Sequence, residues 1–373
     1  MAYSPEGMSQ LGHLSDADRS SALSPMKVTR RDALAVGIGL FATPTATFSY
    51  DSHIPAPAVT YGSPRTYRIT HEATLQVGDG RLLSIEAWLP VPQNHPEQSV
   101  SNLQVQPRVP VVRDVTKRAS LARFYQTRGL PRTGGHVTYR VSYDVTCRQS
   151  MTNWAAVGKP TFDDYKRDAT FRLFSRPEKK IETRHAGIKA KAAQLRDGRN
   201  EVVETARTIY DFVINSTTYR LLDGIEGAGY CLKNGHGECT EYSALFVALC
   251  RSAGIPARPV LGCFGDQTNG WHAWAEFMLP SGEWIPVDAS LGDRNPRQRE
   301  HWFGRLDNRR VVFGKTYDTD LKVGRTKRGR RHVDGLQFGA CWFQLTKLQR
   351  GGRAPQPQFQ IRGRRLDSST DSK

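Results

Sequence analysis

Long apolar stretches are missing from this chain of 373 residues. The weakly apolar run at residues 33–41 contains two glycines and is too short to cross a bilayer as a stable helix, so we expect no membrane span in the mature chain. Cysteine is scarce, with six residues, which excludes a small scaffold held together by disulfides. Hydrophobic residues make up 38% of the chain and charged residues 24%, which argues against a largely disordered chain.

Motifs for metal ions and phosphates are also missing. The chain has no Cys-x-x-Cys, no His-Glu-x-x-His and no Asp-rich calcium loop. The glycine-rich residues 224–229 lack both the G-x-G-x-x-G order and the Gly-Lys-Ser/Thr ending of phosphate-binding loops. The sequence therefore predicts neither a metal nor another cofactor.

Acidic residues are outnumbered, with 36 Asp and Glu against 53 Lys and Arg and a net charge of +17. The excess lies in residues 294–373, which hold 20 basic and 7 acidic side chains. The densest basic run, Arg325 to Arg331, predicts either a solvated loop or, in an exported protein, a surface for acidic cell-envelope polymers. No specific nucleic-acid site is predicted.

The first residues have the pattern of an export signal. Arg30 and Arg31 directly precede the weakly apolar run, which is typical of the twin-arginine type, although a chance Arg-Arg pair is the simpler alternative. Met26 is an alternative start to Met1. We interpret residues 1–58 as an extension plus signal, and expect an exported protein of the periplasm or cell envelope.

Residues 59–150 alternate between apolar and polar side chains. The alternation is clear at residues 67–70, 83–89 and 137–145, with glycine-containing turns between them. Period two with one polar face indicates antiparallel strands, so we predict a β-sandwich-like domain. Residues 151–183 are interpreted as a linker.

The next segment changes to helical spacing. Apolar residues mark two helices within residues 184–216, and a third helix follows Cys239 and ends at Gly254. Cys239 falls in the first turn of that third helix. Because free N–H groups and the positive end of the helix dipole lie there, we expect the thiolate form to be favoured.

A hairpin after this helix supplies a histidine and a carboxylate. Residues 271–279 and 283–287 are predicted strands joined by Pro-Ser-Gly. If Leu279 pairs with Glu283, Asp288 lies opposite Trp274 and diagonally beside His272, at roughly 7 Å between backbones. A slip of one residue would turn Asp288 away.

Four segments in this order resemble the transglutaminase-like superfamily: residues 237–239 (Gly-Glu-Cys), 254–258 (Gly-Ile-Pro-Ala-Arg), 272–276 (His-Ala-Trp-Ala-Glu) and 284–288 (Trp-Ile-Pro-Val-Asp). The resemblance covers about residues 184–292 and implies an α+β fold with a papain-like core, in which the Cys-bearing helix packs on an antiparallel sheet. It implies Cys239 as nucleophile, His272 as base and Asp288 as the residue that orients it. Cys263 stands where the family usually has an aromatic residue. Animal relatives depend on calcium, for which this sequence has no evident site.

This resemblance implies thiol chemistry on an amide of a protein or peptide. The Cys239 thiolate would form a thioester, with the Cys239 N–H and Tyr219 as candidate donors to the oxyanion. Water would complete hydrolysis, whereas a lysine amine would complete protein cross-linking, for which Trp271 and Trp274 are candidate pocket walls. A module that binds peptide or envelope polymer without catalysis is the third hypothesis.

The C-terminal part is predicted to complete the catalytic domain, taken as residues 184–348. Alternation over residues 335–345 predicts strands added to the catalytic sheet, and residues 349–373 have the composition of a disordered tail. Cys250 and Cys263 fall on predicted core faces and are expected to be buried and reduced.

Overall fold

A computed structural model describes residues 56–77, 81–107, 111–115, 118–132, 134–222, 224–317, 325–326, 329–330, 334–335, 344–350 and 358–367. The twin-arginine motif lies outside these residues, as do residues 327, 328 and 331 of the basic run Arg325 to Arg331. Within the described part of the chain, no helix is long and apolar enough to cross a membrane.

All seven α-helices of the described chain lie between residues 154 and 294, with six strands before them and seven after them. The strands are β1 Val59–Gln76, β2 Arg81–Pro90, β3 Gln98–Gln106, β4 Val111–Val115, β5 Ser120–Gln126, β6 His136–Thr152, β7 Thr218–Tyr219, β8 His236–Gly237, β9 Ala257–Phe264, β10 Trp271–Met278, β11 Trp284–Val287, β12 Arg305–Leu306, β13 Arg310–Gly314, β14 Arg325–Thr326, β15 Gly329–Arg330, β16 Asp334–Gly335, β17 Gln344–Arg350 and β18 Gln358–Arg365. The α-helices are α1 Trp154–Val157, α2 Ala169–Ser175, α3 Ala186–Arg196, α4 Val202–Ser216, α5 Ala228–Asn234, α6 Cys239–Ala253 and α7 Ala289–Arg294.

The β-rich part consists of two antiparallel sheets. One has the order β12-β6-β1-β18, with β3 also paired to β6, and the other has the order β16-β17-β2-β5-β4. Side chains alternate as predicted: Tyr139, Val141 and Tyr143 of β6 are buried, and the Tyr139 ring packs 5.2 Å from the Phe124 ring of β5. Contact between apolar faces of the two sheets makes the sandwich-like core that the alternation indicates.

The C-terminal strands differ from the prediction. β17 pairs with β2 and β18 pairs with β1, so both extend the β-rich sheets. Of residues 335–345, which were expected to add strands to the catalytic sheet, residues 336–343 lie outside the described residues, and residues 335, 344 and 345 pair within the β-rich sheet instead. Residues 358–365, assigned above to a disordered tail, form a strand. Alternation reports which face of a strand is buried, but it does not identify the strand's partner.

The site-bearing part is built around α6 and a four-stranded antiparallel sheet of order β11-β10-β9-β13. Residues of α6 after Cys239 are almost all buried, including Tyr242, Phe246 and Leu249. The helix ends at Gly254, whose φ of 95° lies in the left-handed region that favours glycine. This arrangement is the helix on an antiparallel sheet that the sequence predicts.

The predicted linker, residues 151–183, is packed against this core. It contains α1 and α2, and its Glu178 is buried. The Glu178 carboxylate pairs with Arg251 of α6 at 2.9 Å and accepts a hydrogen bond from the Thr316 hydroxyl at 2.7 Å. These contacts fix the segment to the helix that bears Cys239.

Candidate active site

Cys239 is the first residue of α6, and the preceding residues fix that helix start. Glu238 and Glu241 form a reciprocal capping box, in which the buried Glu241 carboxylate accepts from the Glu238 N–H at 3.1 Å. The same carboxylate accepts from the Glu226 N–H at 2.9 Å. A Cβ at Gly237 would lie 2.3 Å from the Glu241 Cβ, so glycine is required for this close approach.

The hairpin has the register that the sequence predicts. The Leu279 N–H donates to the Glu283 carbonyl at 2.8 Å, and pairing of β10 with β11 continues to Ala275 opposite Val287. Asp288 comes directly after Val287, so it lies opposite Trp274 and diagonally beside His272. The slipped register that would turn Asp288 away is not the observed one.

His272 and Asp288 are in direct contact. The His272 Nε2 lies 2.7 Å from Oδ2 of Asp288, and both residues are buried. The other carboxylate oxygen accepts from the Leu291 N–H and the Ser290 hydroxyl, each at 3.0 Å, so Asp288 also caps α7. If Nε2–H donates to the carboxylate, Nδ1 of His272 remains available as a base.

The thiol approaches β10 beside this histidine. The backbone N–H of Ala273, the residue after His272, donates a hydrogen bond to the Cys239 sulfur. Pairing with β11 stops at Ala275, so that strand ends before it reaches Ala273. Cys239 as a whole residue is half-buried. The structure thus brings Cys239, His272 and Asp288 to one end of the hairpin.

The surroundings of the sulfur favour a thiol over a thiolate. Burial, followed by the charges of Glu238 and Asp288, raises the pKa of Cys239 to about 12, while the hydrogen bond from Ala273 acts in the opposite direction. The expectation that the helix start favours a thiolate is therefore wrong for the resting chain. The physical reason is that burial of the sulfur and the carboxylates of Glu238, Asp288 and Glu241 outweigh the local dipole.

Asp288 has the opposite tendency. Burial alone would favour its neutral form, but the charges of His272 and then Arg310 outweigh burial and hold its pKa well below the usual range. Asp288 is therefore ionised and acts as a fixed negative charge behind the imidazole.

Arg310 is a site residue that the sequence analysis did not identify. Its Nη1 lies 2.7 Å from Oδ2 of Asp288, and its side chain is 3% exposed. The guanidinium carbon is 5.1–5.3 Å from the ring centres of Phe264, Trp274 and Trp302. Arg310 belongs to the C-terminal segment that was interpreted only through its net charge, and no local motif marks it.

Tyr219 lies within electrostatic reach of the thiol. It belongs to β7, which pairs in parallel with β8 just before the Cys239 helix. Burial, followed by the negative charge of Cys239, raises the pKa of Tyr219 to about 12. The phenol therefore keeps its proton and is able to donate a hydrogen bond near the sulfur.

The two predicted pocket tryptophans lie on opposite faces of β10. Trp274 is buried and stacks 6.1 Å from the His272 ring. Trp271 is partly exposed and packs 5.9 Å from Phe313. Because side chains alternate along a strand, the two indoles do not wall one common channel. Trp274 lies on the same face of β10 as His272 and packs against its ring.

Cys263 stands where the superfamily usually has an aromatic residue, and in this chain the next residue is aromatic. Cys263 and Cys250 are buried and have free thiols, as predicted. The following residue, Phe264, stacks on the His272 ring at 4.9 Å and 21°. This aromatic residue covers the imidazole from the side of β9.

No group of three or more His, Cys, Asp or Glu side chains in the described ranges is arranged to hold a metal ion. The site offers a thiol, an imidazole with one free nitrogen, a buried carboxylate and two nearby hydrogen-bond donors. This set is suited to nucleophilic attack on an acyl group followed by proton transfer to a leaving amine.

Comparison with known proteins bears on the fold that carries these residues. Residues 189–289 match the sequence model of the Transglutaminase-like superfamily. A candidate cysteine protease from Cytophaga hutchinsonii is 15% identical and superposes with a TM-score of 0.55, covering 83% of this chain and 94% of its own. At that identity the similarity shows the fold alone.

Other relatives cover less or align less closely. The periplasmic domain of TgpA from Pseudomonas aeruginosa is 17% identical, with a TM-score of 0.33, over 64% of this chain and 93% of that domain. An uncharacterised protein of Haemophilus influenzae is 35% identical over 121 aligned positions, covering 23% of this chain. The chain spans about one third of that relative's length.

Proposed function

We propose that this chain is a thiol enzyme that hydrolyses amide bonds of proteins or peptides through Cys239, His272 and Asp288. The observation that carries the proposal is the 2.7 Å contact between His272 Nε2 and the buried Asp288 carboxylate, which leaves Nδ1 to act as a base. The transglutaminase-like core of residues 189–289 supports a cysteine enzyme of that superfamily.

The reaction begins with proton transfer, because the resting sulfur is a thiol. His272 Nδ1 takes the proton of Cys239, and Asp288 stabilises the imidazolium that forms. The thiolate attacks the amide carbonyl, and the oxyanion accepts hydrogen bonds from the Cys239 N–H and the Tyr219 hydroxyl. As the first N–H of α6, the Cys239 donor has no acceptor within the helix.

The second half of the reaction releases both products. The tetrahedral intermediate expels the amine, which takes the proton from His272, and a thioester remains on Cys239. A water molecule then gives a proton to His272 and attacks the thioester. Collapse releases the carboxylic acid and returns the proton to the sulfur.

Hydrolysis is favoured over transfer because Cys239 is half-buried and not fully enclosed by the protein. The alternative is transfer of the acyl group to a primary amine, as in cross-linking of glutamine to lysine side chains. That reaction needs an acceptor path that excludes water. A channel walled jointly by Trp271 and Trp274 would require the two indoles on one side of β10.

We also propose that the protein acts outside the cytoplasm. Arg30 and Arg31 before a short apolar run support a twin-arginine export signal, and the basic run Arg325 to Arg331 supports contact with acidic envelope polymers. Detection of the chain and its amino terminus in a periplasmic fraction would test export, and recovery of uncleaved protein from the cytoplasm alone would contradict it.

The test of hydrolysis uses a peptide mixture in heavy-oxygen water, with and without an added primary amine. The native chain is compared with Cys239→Ala and with Cys231→Ala, which removes a buried thiol outside the site. Hydrolysis predicts new carboxyl groups carrying heavy oxygen in the native and Cys231→Ala samples. Incorporation of the amine instead would favour transfer.

The non-catalytic alternative rests on the raised pKa of Cys239, since a thiol that never ionises would leave the site inert. A binding module would retain peptides on the native chain and on Cys239→Ala alike, with no change in peptide mass. That result would overturn the proposed enzyme.

A further inference from the structure

Arg310 places a buried positive charge on the triad carboxylate. Its Nη1 is 2.7 Å from Oδ2 of Asp288, and the same oxygen lies 2.7 Å from His272 Nε2. Two groups that carry positive charge when protonated therefore meet one carboxylate oxygen. Arg310 is always charged, whereas His272 gains and loses its charge during the reaction.

The guanidinium acts here through its charge. Among the described residues, none of its three nitrogens makes a hydrogen bond with favourable geometry, so the contact with Asp288 is an ion pair without directed N–H donation. A second carboxylate, Asp307, is farther away at 3.8 Å from Nε. Asp288 is therefore the principal counter-ion of Arg310.

Three aromatic rings hold this charge in place. Phe264, Trp274 and Trp302 surround the guanidinium at 5.1–5.3 Å, within the range of cation–π attraction. Phe264 and Trp274 also stack on His272, at 4.9 and 6.1 Å. The same rings thus fix the guanidinium and the imidazole relative to each other.

We propose that Arg310 is a positioning residue which shares the Asp288 carboxylate with His272 and thereby limits how strongly His272 holds a proton. This inference rests on the proposed function. A base that takes the thiol proton must also return it to the leaving amine, and an isolated buried carboxylate would bind the imidazolium too firmly. A fixed guanidinium on the same oxygen weakens that hold and keeps Asp288 ionised throughout.

Other charged groups around the pair are those of neighbouring elements: Cys239, Glu238 and Glu241 of the α6 start, Tyr210 of α4, Tyr219 of β7, and His301 and Asp307 beside Arg310. Of these groups, Asp307 is the one that also pairs with Arg310, so a neutral variant of Arg310 would remove that pairing as well. The test therefore needs a variant that keeps the charge at this position.

The adjacent residue supplies a matched control. Arg309 packs 5.2 Å from the ring of Phe264, as Arg310 does, but it pairs with Asp266 at 2.8 Å. We would compare the full native chain with Arg310→Met, Arg310→Lys and Arg309→Met. The readout is the titration midpoint of the His272 imidazole by NMR of histidine-labelled protein, with the resonance assigned by its loss in His272→Gln.

Loss of the guanidinium charge should raise the His272 midpoint by about one pH unit in Arg310→Met, because a like charge nearby disfavours the imidazolium. Arg310→Lys should stay close to the native midpoint, and Arg309→Met should not move it. The inference fails if Arg310→Met leaves the midpoint unchanged, or if Arg309→Met moves it equally.

Folding is checked in parallel, with Arg310→Gln as a second neutral variant. If both neutral variants unfold while Arg310→Lys folds and keeps the native midpoint, Arg310 has a structural role and the inference is overturned. Alkylation of Cys239 in the native chain separates the two hypotheses: a selectively reactive Cys239 with an unmoved midpoint in Arg310→Met would refute only the positioning role. An unreactive Cys239 would refute the proposed function instead.

Discussion

The sulfur of Cys239 experiences opposing electrostatic effects. A helix dipole contributes at most about 1 kcal/mol at a surface site, which corresponds to less than about one pKa unit. Burial and the surrounding carboxylates raise the pKa of this thiol from 9.0 to about 12. Packing therefore outweighs the dipole, and the proposed mechanism requires proton transfer to His272 to activate the thiol.

The hydroxyl of Tyr219 should matter only in steps that form an oxyanion. Tyr219→Phe should slow acylation of Cys239 by an activated ester about 100-fold, the range found for loss of one oxyanion donor. Alkylation of Cys239 by iodoacetamide passes through no oxyanion, so its rate should stay within about twofold of native. Stopped-flow acylation and intact-mass alkylation measure the two rates. Equal slowing of both would instead indicate that Tyr219 positions the sulfur.

At the scale of elements, the start of α6 depends on the close contact of Gly237 with Glu241. The buried Glu241 carboxylate accepts backbone N–H groups from Glu226 and Glu238 and a hydroxyl from Thr240. The Gly227 N–H also donates to this carboxylate, so a displaced Glu241 would release four donors at once, and the helix start would move with it.

Gly237→Ala should lower the unfolding free energy by about 2 kcal/mol, in the range for overpacked sites, and slow Cys239 alkylation. Gly224→Ala is the control, because a Cβ there meets no atom within 4 Å. Urea denaturation and labelling rates measure both effects. A Gly237→Ala protein as stable and reactive as the control would contradict this account of the helix start.

Local signals account for the parts of the site that the sequence predicted. The Pro-Ser-Gly turn fixes the hairpin register that carries Asp288 to His272, and Gly254 ends the helix that begins at Cys239. β17 and β18 pair with β2 and β1, which lie more than 200 residues earlier in the sequence. Their pairing with β2 and β1 is set by backbone hydrogen bonds between distant segments, for which alternation gives no partner.

At the scale of the whole molecule, a buried ion network joins the sheet that bears His272 to the β-rich part. Glu276 of β10 pairs with Arg258 of β9 at 2.5 Å and with Lys315 at 3.0 Å. Lys315 also pairs at 2.5 Å with Glu97, which lies between β2 and β3. Breaking a buried pair leaves an uncompensated charge, so this network is costly to disrupt.

Glu276 should make the unfolding free energy of the protein decrease at acidic pH. Burial opposes its ionisation, but Arg258 and Lys315 outweigh burial and lower the pKa of Glu276 to about 2 from an ordinary 4.5. Its contribution is therefore complete above pH 4.5 and lost as the pH falls towards about 2.

Glu276→Gln should cost about 3 kcal/mol of unfolding free energy at pH 7, and the difference from native should shrink as the pH falls below 4.5. Glu72→Gln is the control, because Glu72 forms a partly exposed pair with Arg140 and should cost less than about 1 kcal/mol. Denaturant titrations across pH measure both. A Glu276→Gln difference that does not change with pH would contradict the network's role.

Arg310 shows why part of the site could not be predicted. It reaches Asp288 from β13, and its three aromatic neighbours come from β9, β10 and the turn before β12. No spacing in the sequence relates these segments. Among the many basic residues of the segment 294–373, no feature of the sequence indicates that Arg310 is buried and pairs with Asp288.

The most direct test of the thiol-enzyme account is the pH dependence of Cys239 alkylation, followed by intact-mass spectrometry on native, His272→Gln and Cys239→Ala chains. We predict a single fast adduct on native Cys239 that persists below about pH 8.5, the ordinary thiol value, and that is lost in Cys239→Ala. In His272→Gln, labelling should require alkaline pH. If native Cys239 reacts no faster than the other five cysteines, and only at alkaline pH, the catalytic triad is contradicted.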